Sequence, residues 1–305
     1  MAGLMTSSPL SRRLDQPTQL LSLEALCSVW FVQVIEARVP MMGVLAGRTD
    51  VLPKIRGAWG RSLMTGASQE AIAGRPCPFD PPCGLDVFFR EQGRSGRHAI
   101  PKPYVLEADR SGVDLIVRLK IFGFATEWTP VASERLVEAL NVNVDWRWLS
   151  EMPHLKAPRV EELKVLTVEG LSLPDSPPAT TLRLLSPLEN EARAMRDQPW
   201  GVVARIARRV SGLARWHDAE IDASWEDLSE TWKRLDYDLS ATHDDVVDRR
   251  SRGRGFSEPT LVGDIRISGD LGSIWPLLRM GETAGAGRGA VHGLGRFEVL
   301  PGNAG

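Results

Sequence analysis

The sequence predicts an α+β protein, and three observations carry that reading. Val113, Leu115, Val117, Leu119 and Ile121 alternate with Asp114, Arg118 and Lys120, the period of a half-buried strand. Val202, Val203, Ile206, Val210 and Leu213 recur at helical spacing, with Arg205, Arg208, Arg209 and Arg215 mostly off that stripe, on what reads as a solvated face. A proline-rich break at residues 173–178 and a glycine-rich stretch at 285–295 separate the apolar segments.

Taken in order, residues 1–22 are polar, carry Arg12 and Arg13, and lack the apolar stretch of a signal peptide; a flexible start and a cytoplasmic protein are expected. Residues 28–39 hold Val29, Trp30, Phe31, Val32, Val34 and Ile35 and read as a strand. A helix is predicted over 51–63, a Pro- and Cys-rich loop over 74–86, and a strand over 113–122. A helix over 133–140 follows Pro130, and a returning strand falls at 163–168. That order is compatible with a ferredoxin-like split βαβ unit in a first domain, 23–172. Beyond the proline break a second domain, 180–305, holds strands at 180–185, 261–271 and 297–300. Its helices fall at 200–216, 225–235 and 274–280, with a helical, Arg-rich insertion about 200–256. Periodicity by itself reaches no further than α+β.

Composition bounds the function. The 305 residues suffice for one large or two small domains, and 43% hydrophobic with 25% charged residues is ordinary for a globular chain. No apolar run has membrane-spanning length, so no membrane partner is expected. Three cysteines argue against a disulfide framework. The net charge of −2 and pI near 6.3 are not the usual footprint of a nucleic-acid binder. The charge is segregated, however: residues 217–248 are rich in Asp and Glu, and Arg249, Arg250, Arg252 and Arg254 follow at once. A local basic surface can bind RNA on a near-neutral chain.

The glycine-rich stretch sets Gly285, Gly287, Gly289, Gly293 and Gly295 among Arg288, His292 and Arg296. Glycine at that density permits close backbone approach, and successive N–H groups form an anion-binding concavity. No phosphate-cradling Walker loop, Ser-His-Asp arrangement or dinucleotide fingerprint occurs. Cys77, Cys83 and His98 lack zinc spacing and a fourth ligand, so neither metal nor cofactor is expected. Glu107 and Asp114 read as surface carboxylates without a partner. His154 and His217 read as structural or solvated, His243 as a surface residue, and His98 as part of a basic loop.

The glycine stretch resembles the loop of the CRISPR-associated RAMP proteins, most closely the branch that processes precursor CRISPR RNA. Gly287-Arg288-Gly289 and Gly293-Leu294-Gly295-Arg296-Phe297 match its glycine pattern and the aromatic that opens a strand. Other segments agree in the family's order: Arg56 to Leu63 with the first helix, and Cys77 to Cys83 before an aromatic strand at Val87-Phe88-Phe89. They continue with Pro101 to Leu106, Leu119 to Gly123, and Leu261 to Leu271. The resemblance spans roughly residues 25–300 and implies tandem ferredoxin-like (RRM-like) domains.

It also implies a metal-independent endoribonuclease that binds the CRISPR repeat stem-loop. Such an enzyme cuts precursor CRISPR RNA by 2′-hydroxyl attack and stays on the mature crRNA with other effector subunits. That chemistry needs proton transfer, which suits histidine, and charge stabilisation, which suits arginine. The family often places a histidine near the first helix; here no histidine precedes His98, and Arg38, Arg48, Lys54, Arg56 and Arg61 occupy the region. The candidate catalytic residues are therefore Arg38, Arg56, Arg61, Arg288 and His292. The RNA contacts are the five loop glycines, Arg249, Arg250, Arg252, Arg254 and Arg296. An arginine-dominated site resembles the type IV CRISPR branch. The missing early histidine motivates the alternative, a non-catalytic crRNA-binding scaffold subunit.

Overall fold

The first sheet is built from β1 (Phe31–Val39), β2 (Tyr104–Ser111), β3 (Asp114–Phe122) and β4 (Glu162–Glu169). In the computed structural model, which describes residues 8–95, 98–151, 156–189, 194–251 and 254–301, these strands are antiparallel in the order β2-β3-β1-β4. Helix α1 (Val51–Leu63) leads from β1 to β2, and α2 (Thr129–Glu138) leads from β3 to β4. This is the connection order and strand order of a ferredoxin-like unit. The alternation read over 113–122 is β3 itself, whose Leu115, Val117, Leu119 and Ile121 are fully buried.

The second sheet repeats the plan. Strands β5 (Ala179–Glu189), β6 (Thr242–Ser251), β7 (Arg254–Ser268) and β8 (Phe297–Pro301) run β6-β7-β5-β8, with residues 236–238 extending the β6 edge. Helix α3 (Gly201–Ala214) and helix α4 (Trp225–Lys233) lie between β5 and β6, and α5 (Trp275–Ala284) lies between β7 and β8. The tandem ferredoxin-like architecture expected from the resemblance is therefore present.

Three expectations need correction. The chain is not helical over 200–256: from Thr242 it is strand, and β6 pairs with β7 from Thr242–Gly263 to Ser251–Arg254. Because β5 pairs only with residues 260–268 of β7, the outer part of the β6–β7 ribbon runs on without that neighbour. Aspartates 244, 245 and 248 hide the strand from a hydrophobic-period reading, yet on an edge strand exposed charge is tolerated and discourages unwanted pairing. Arg249, Arg250 and Arg254 lie at the end of this hairpin; Arg252 falls outside the described residues, as does His154.

Residues 87–89 are not a strand but the last turn of a helix, Gly84–Phe89. A short apolar run cannot be assigned by periodicity alone. Here Val87 and Phe88 are buried, and Phe88 and Phe89 pack on Trp59 of α1.

The N-terminal segment is not floppy from residue 8 onward. Helix Pro9–Asp15 is capped by the Ser8 hydroxyl and buries Leu10 and Leu14. Residues 19–21 then pair in parallel with 219–221. Thr18 reinforces that seam, donating from its hydroxyl to Asp218 at 2.7 Å.

One hydrophobic core runs through both units. Trp30 donates its indole N–H to the Thr283 hydroxyl at 2.9 Å, and Trp216 donates to the Pro101 carbonyl at 3.0 Å, each crossing between units. His217 is structural. Its ring stacks on Trp30 with centroids 4.5 Å apart, Nε2 accepts from the Phe31 N–H at 3.0 Å, and Nδ1 lies 3.0 Å from the Leu213 carbonyl. That pattern selects the neutral ring protonated at Nδ1.

Arg209, read as part of a solvated face, is buried instead. Nε donates to the Ala284 carbonyl at 2.5 Å and a terminal nitrogen to the Tyr104 carbonyl at 3.0 Å. Burial pulls its pKa down to about 10, which leaves it charged at neutral pH.

Two outcomes are expected. Burial holds the His217 pKa below its ordinary value of about 6.5. Above that value both folded and unfolded His217 are neutral; below it the unfolded chain takes up a proton that the folded ring refuses. Stability should therefore fall as pH drops below about 6.5, by up to about 1.4 kcal/mol per unit from this group. Urea melts at stepped pH should show a shallower fall in His217→Gln, and equal slopes would refute the assignment. Arg209→Leu leaves two buried carbonyls without their donor and should cost about 3 kcal/mol in the same assay.

Candidate nucleic-acid interface

A solvent-open cleft of ≈ 500 Å³ lies where the two units meet. The loop before α1 supplies Gly47, Arg48 and Thr49 to its wall, β2 supplies Glu107 and Ala108, and the end of β5 supplies residues 185–187. The far wall is the glycine-rich stretch, from His292 to Leu294, with Arg296.

The glycine-rich stretch is a folded element. Helix α5 ends at Ala284, residues 288–292 form a 3-10 turn, and β8 begins at Phe297. Between them the loop closes on itself: the Ala286 N–H donates to the Gly295 carbonyl at 2.7 Å, and the Leu294 N–H to the Gly289 carbonyl at 3.1 Å. Gly295 sits at φ +68°, where a Cβ would stand 2.1 Å from the Ala286 carbonyl oxygen. Gly293, at φ +82°, lets the loop touch the first unit; a Cβ there would lie 2.1 Å from Leu52 Cδ1.

Gly287 and Gly289 face the carboxylate of buried Glu189. A Cβ on Gly289 would come within 2.8 Å of its Oε1. The absence of side chains at those two glycines leaves room for the Glu189 side chain. Arg288 lies exposed at the start of the turn and half-buried His292 at its end.

Arg296 is anchored across the unit boundary. Its Nη1 donates to Asp109 Oδ1 at 2.6 Å, and its Nε lies 3.7 Å from Glu107 Oε1. Asp109 is shared with Arg118, which also donates to Glu36 at 2.7 Å, and Glu107 accepts from Lys120 at 2.5 Å. Burial alone would lower the Arg296 pKa, but the Asp109 hydrogen bond and the charges of Glu107, Asp109 and Glu298 leave it raised. The same contacts, with Arg118, hold the Asp109 carboxyl below its usual range against the upward pull of burial. Glu107 is therefore not an unpartnered surface carboxylate. Neither is Asp114, which accepts the Met41 N–H and bonds Arg38.

Of the sequence-selected residues, the cleft wall among the described residues includes His292, Gly293 and Arg296, but not Arg38, Arg56, Arg61 or Arg288. Those first three are engaged elsewhere. Arg38 Nε donates to Asp114 at 2.7 Å. Arg56 donates to the buried Tyr104 hydroxyl at 2.8 Å and lies over the Phe89 ring. Arg61, at the end of α1, donates to the Asn143 carbonyl at 3.0 Å.

Sequence reasoning did not select Arg48, Glu107 or Asp109 for the site. Arg48 lines the cleft while gripping Asp50 and donating to the Leu149 carbonyl at 2.8 Å. The alternation of β2 and β3 was the available signal for the two carboxylates: it puts Glu107 and Asp109 on one face, opposite Arg118 and Ile116. Among the described residues no group of three or more His, Cys, Asp or Glu is placed to hold a metal ion, and no helix is long and apolar enough to cross a membrane.

Comparison with known proteins agrees with this architecture. Residues 182–297, from β5 to the start of β8, match the family model of the CRISPR-associated endoribonuclease Cas6. A Cas6 product complex superposes with a TM-score of 0.54 at 15% identity, covering 88% of this chain and 99% of that one. A Cas6 substrate-mimic complex gives 0.50 at 15% identity over 88% and 99%. A Cas6 of Thermus thermophilus gives 0.49 at 12% identity over 89% and 99%. No curated protein sequence matches the chain significantly. The fold resembles that of the solved Cas6 structures, and residues 182–297 match the Cas6 family model, in line with what the motifs implied. Its second unit carries the Cas6 family pattern, glycine-rich stretch included.

Gly295→Ala forces a side chain into the left-handed region and onto a backbone oxygen. A loss of about 2 kcal/mol or more is expected in urea denaturation; an unchanged midpoint would refute the close approach.

Proposed function

We propose that this chain is an endoribonuclease that processes precursor CRISPR RNA. The observation that carries the reading is the inter-unit cleft. It gathers His292, Arg48 and Arg296 beside a glycine-rich stretch lying within the Cas6-matching region. The solved structures it resembles in fold include Cas6 with product and with a substrate mimic, which supports RNA as the ligand.

In this reading the repeat stem-loop lies against the β6–β7 ribbon, and Arg249, Arg250, Arg252 and Arg254 hold its backbone. RNA stems are recognised largely through shape and phosphates, for which arginine is suited. The strand at the base of the stem enters the cleft past Gly285, Gly287, Gly289, Gly293 and Gly295. The 2′-hydroxyl attacks the adjacent phosphorus, the 5′-oxygen leaves, and a 2′,3′-cyclic phosphate remains. His292 moves the proton, and Arg288 and Arg296 stabilise the charge that develops on phosphorus. Arg38, Arg56 and Arg61, committed to protein partners, act by positioning the first unit. The product stays bound and meets other effector subunits in the cytoplasm. An arginine-dominated cleft fits the type IV branch.

One observation favours a second reading, a crRNA-binding scaffold: Arg48, not histidine, stands in the loop before α1. Incubation with a panel of CRISPR repeat RNAs in EDTA separates the two. Cleavage to a cyclic phosphate is expected, and His292→Ala should slow the single-turnover rate by about a hundredfold with little change in affinity. Tight binding without any cut RNA would establish the scaffold reading instead.

A further inference from the structure

We propose that Asp109 is a specificity-determining residue that competes with RNA phosphate for Arg296; the inference rests on the RNA-binding reading above. The ion-pair network that ties the cleft residues Arg296 and Glu107 to the sheet behind them is charge-balanced. Arg296, Arg118 and Lys120 stand against Glu107, Asp109 and Glu36, three cations and three carboxylates in one linked set. A polyanion approaching Arg296 therefore meets no net positive charge there, and non-specific attraction at this point is small.

The two carboxylates nearest Arg296 are not equivalent. Glu107 is 3% exposed and fixed by Lys120 at 2.5 Å, and its Oε1 is 3.7 Å from Arg296 Nε. Asp109 is 34% exposed and accepts a 2.6 Å hydrogen bond from Nη1. It also retains Arg118 as a second partner, so releasing Arg296 does not strand it as an isolated charge. Asp109 is the carboxylate that can yield. Arg296 in turn sits at the cleft wall with its side chain 23% exposed, within reach of an incoming phosphate.

An exchange follows: a phosphate takes the Arg296 nitrogen that Asp109 held, and Asp109 falls back on Arg118. RNA that presents a phosphate at this point, held there by contacts elsewhere, completes the exchange. Loosely placed RNA does not, because it faces the Asp109 charge. Discrimination thus comes from a repulsive element inside the site as well as from attraction.

The test compares affinities for the tightest-bound repeat hairpin of the panel and for polyuridine of equal length, at several salt concentrations. Wild type, Asp109→Asn, Arg296→Ala and the double variant are measured, with circular dichroism to check folding. Asp109→Asn, which keeps the shape and one acceptor but removes the charge, should bind polyuridine on the order of tenfold tighter. The hairpin should gain less, so the affinity ratio shrinks. The gain should vanish in the Arg296→Ala background, because it acts through that residue. An unchanged ratio, or a gain that persists without Arg296, would overturn the inference while leaving the RNA reading intact. A wild type that binds neither RNA would overturn both.

Discussion

A buried guanidinium fixes how the two ferredoxin-like units meet. Arg209 rises from α3 of the second unit and donates to Tyr104, the first residue of β2 in the first unit, and to Ala284, the last residue of α5. Burial weakens its basicity but does not neutralise it, so the charge must keep its hydrogen-bond acceptors, because a buried charge without them is costly. From those two anchored carbonyls the chain runs along β2 to Glu107 and Asp109, and through the glycine-rich stretch to Arg296. The two paths meet again in the Arg296–Asp109 pair. The cleft wall is therefore pinned at both ends, by a buried cation at one and a half-buried ion pair at the other.

Between those pins the glycines have two separate tasks. Gly293 and Gly295 allow close backbone approach, to Leu52 and to Ala286. Gly287 and Gly289 leave room for the Glu189 carboxylate. Each of these four glycines is thus set by close packing within the protein. The proposed RNA face relies more on side chains than on bare backbone amides. This also makes sense of a chain whose overall charge is slightly negative: its cations are placed in pairs and networks, and free attraction for polyanions is kept low.

The tandem fold was largely legible in the sequence. β3 alternates cleanly because one of its faces packs on helices, and α1 and α3 show helical stripes for the same reason. Thr242 to Ser251 was not legible, because an edge strand beyond the sheet buries little and so carries no apolar period. Helix Gly84–Phe89 was misread as a strand because Val87, Phe88 and Phe89 are too short a run to show either period. In the cleft, His292 and Arg296 could be chosen from the glycine motif. Arg209 looked solvated because its neighbours Arg205 and Arg208 suggested a charged face. Packing of α5 and docking of the first unit on α3 bury it, and such long-range contacts leave no trace in the period of a single helix. The partners of Glu107 and Asp109 were equally hidden, since Arg296 lies far along the chain.

The short parallel pairing of residues 19–21 with 219–221 bears on how the protein is made. A strand near the start of the chain waits for a partner some two hundred residues downstream. During synthesis the first sheet can form once β4 has emerged, but residues 19–21 have no strand partner until residues 219–221 have followed. That seam is consequently among the last contacts to settle. A polypeptide cut between the two sheets would have to find this seam by diffusion, and would exchange a closure entropy set by chain length for one set by concentration.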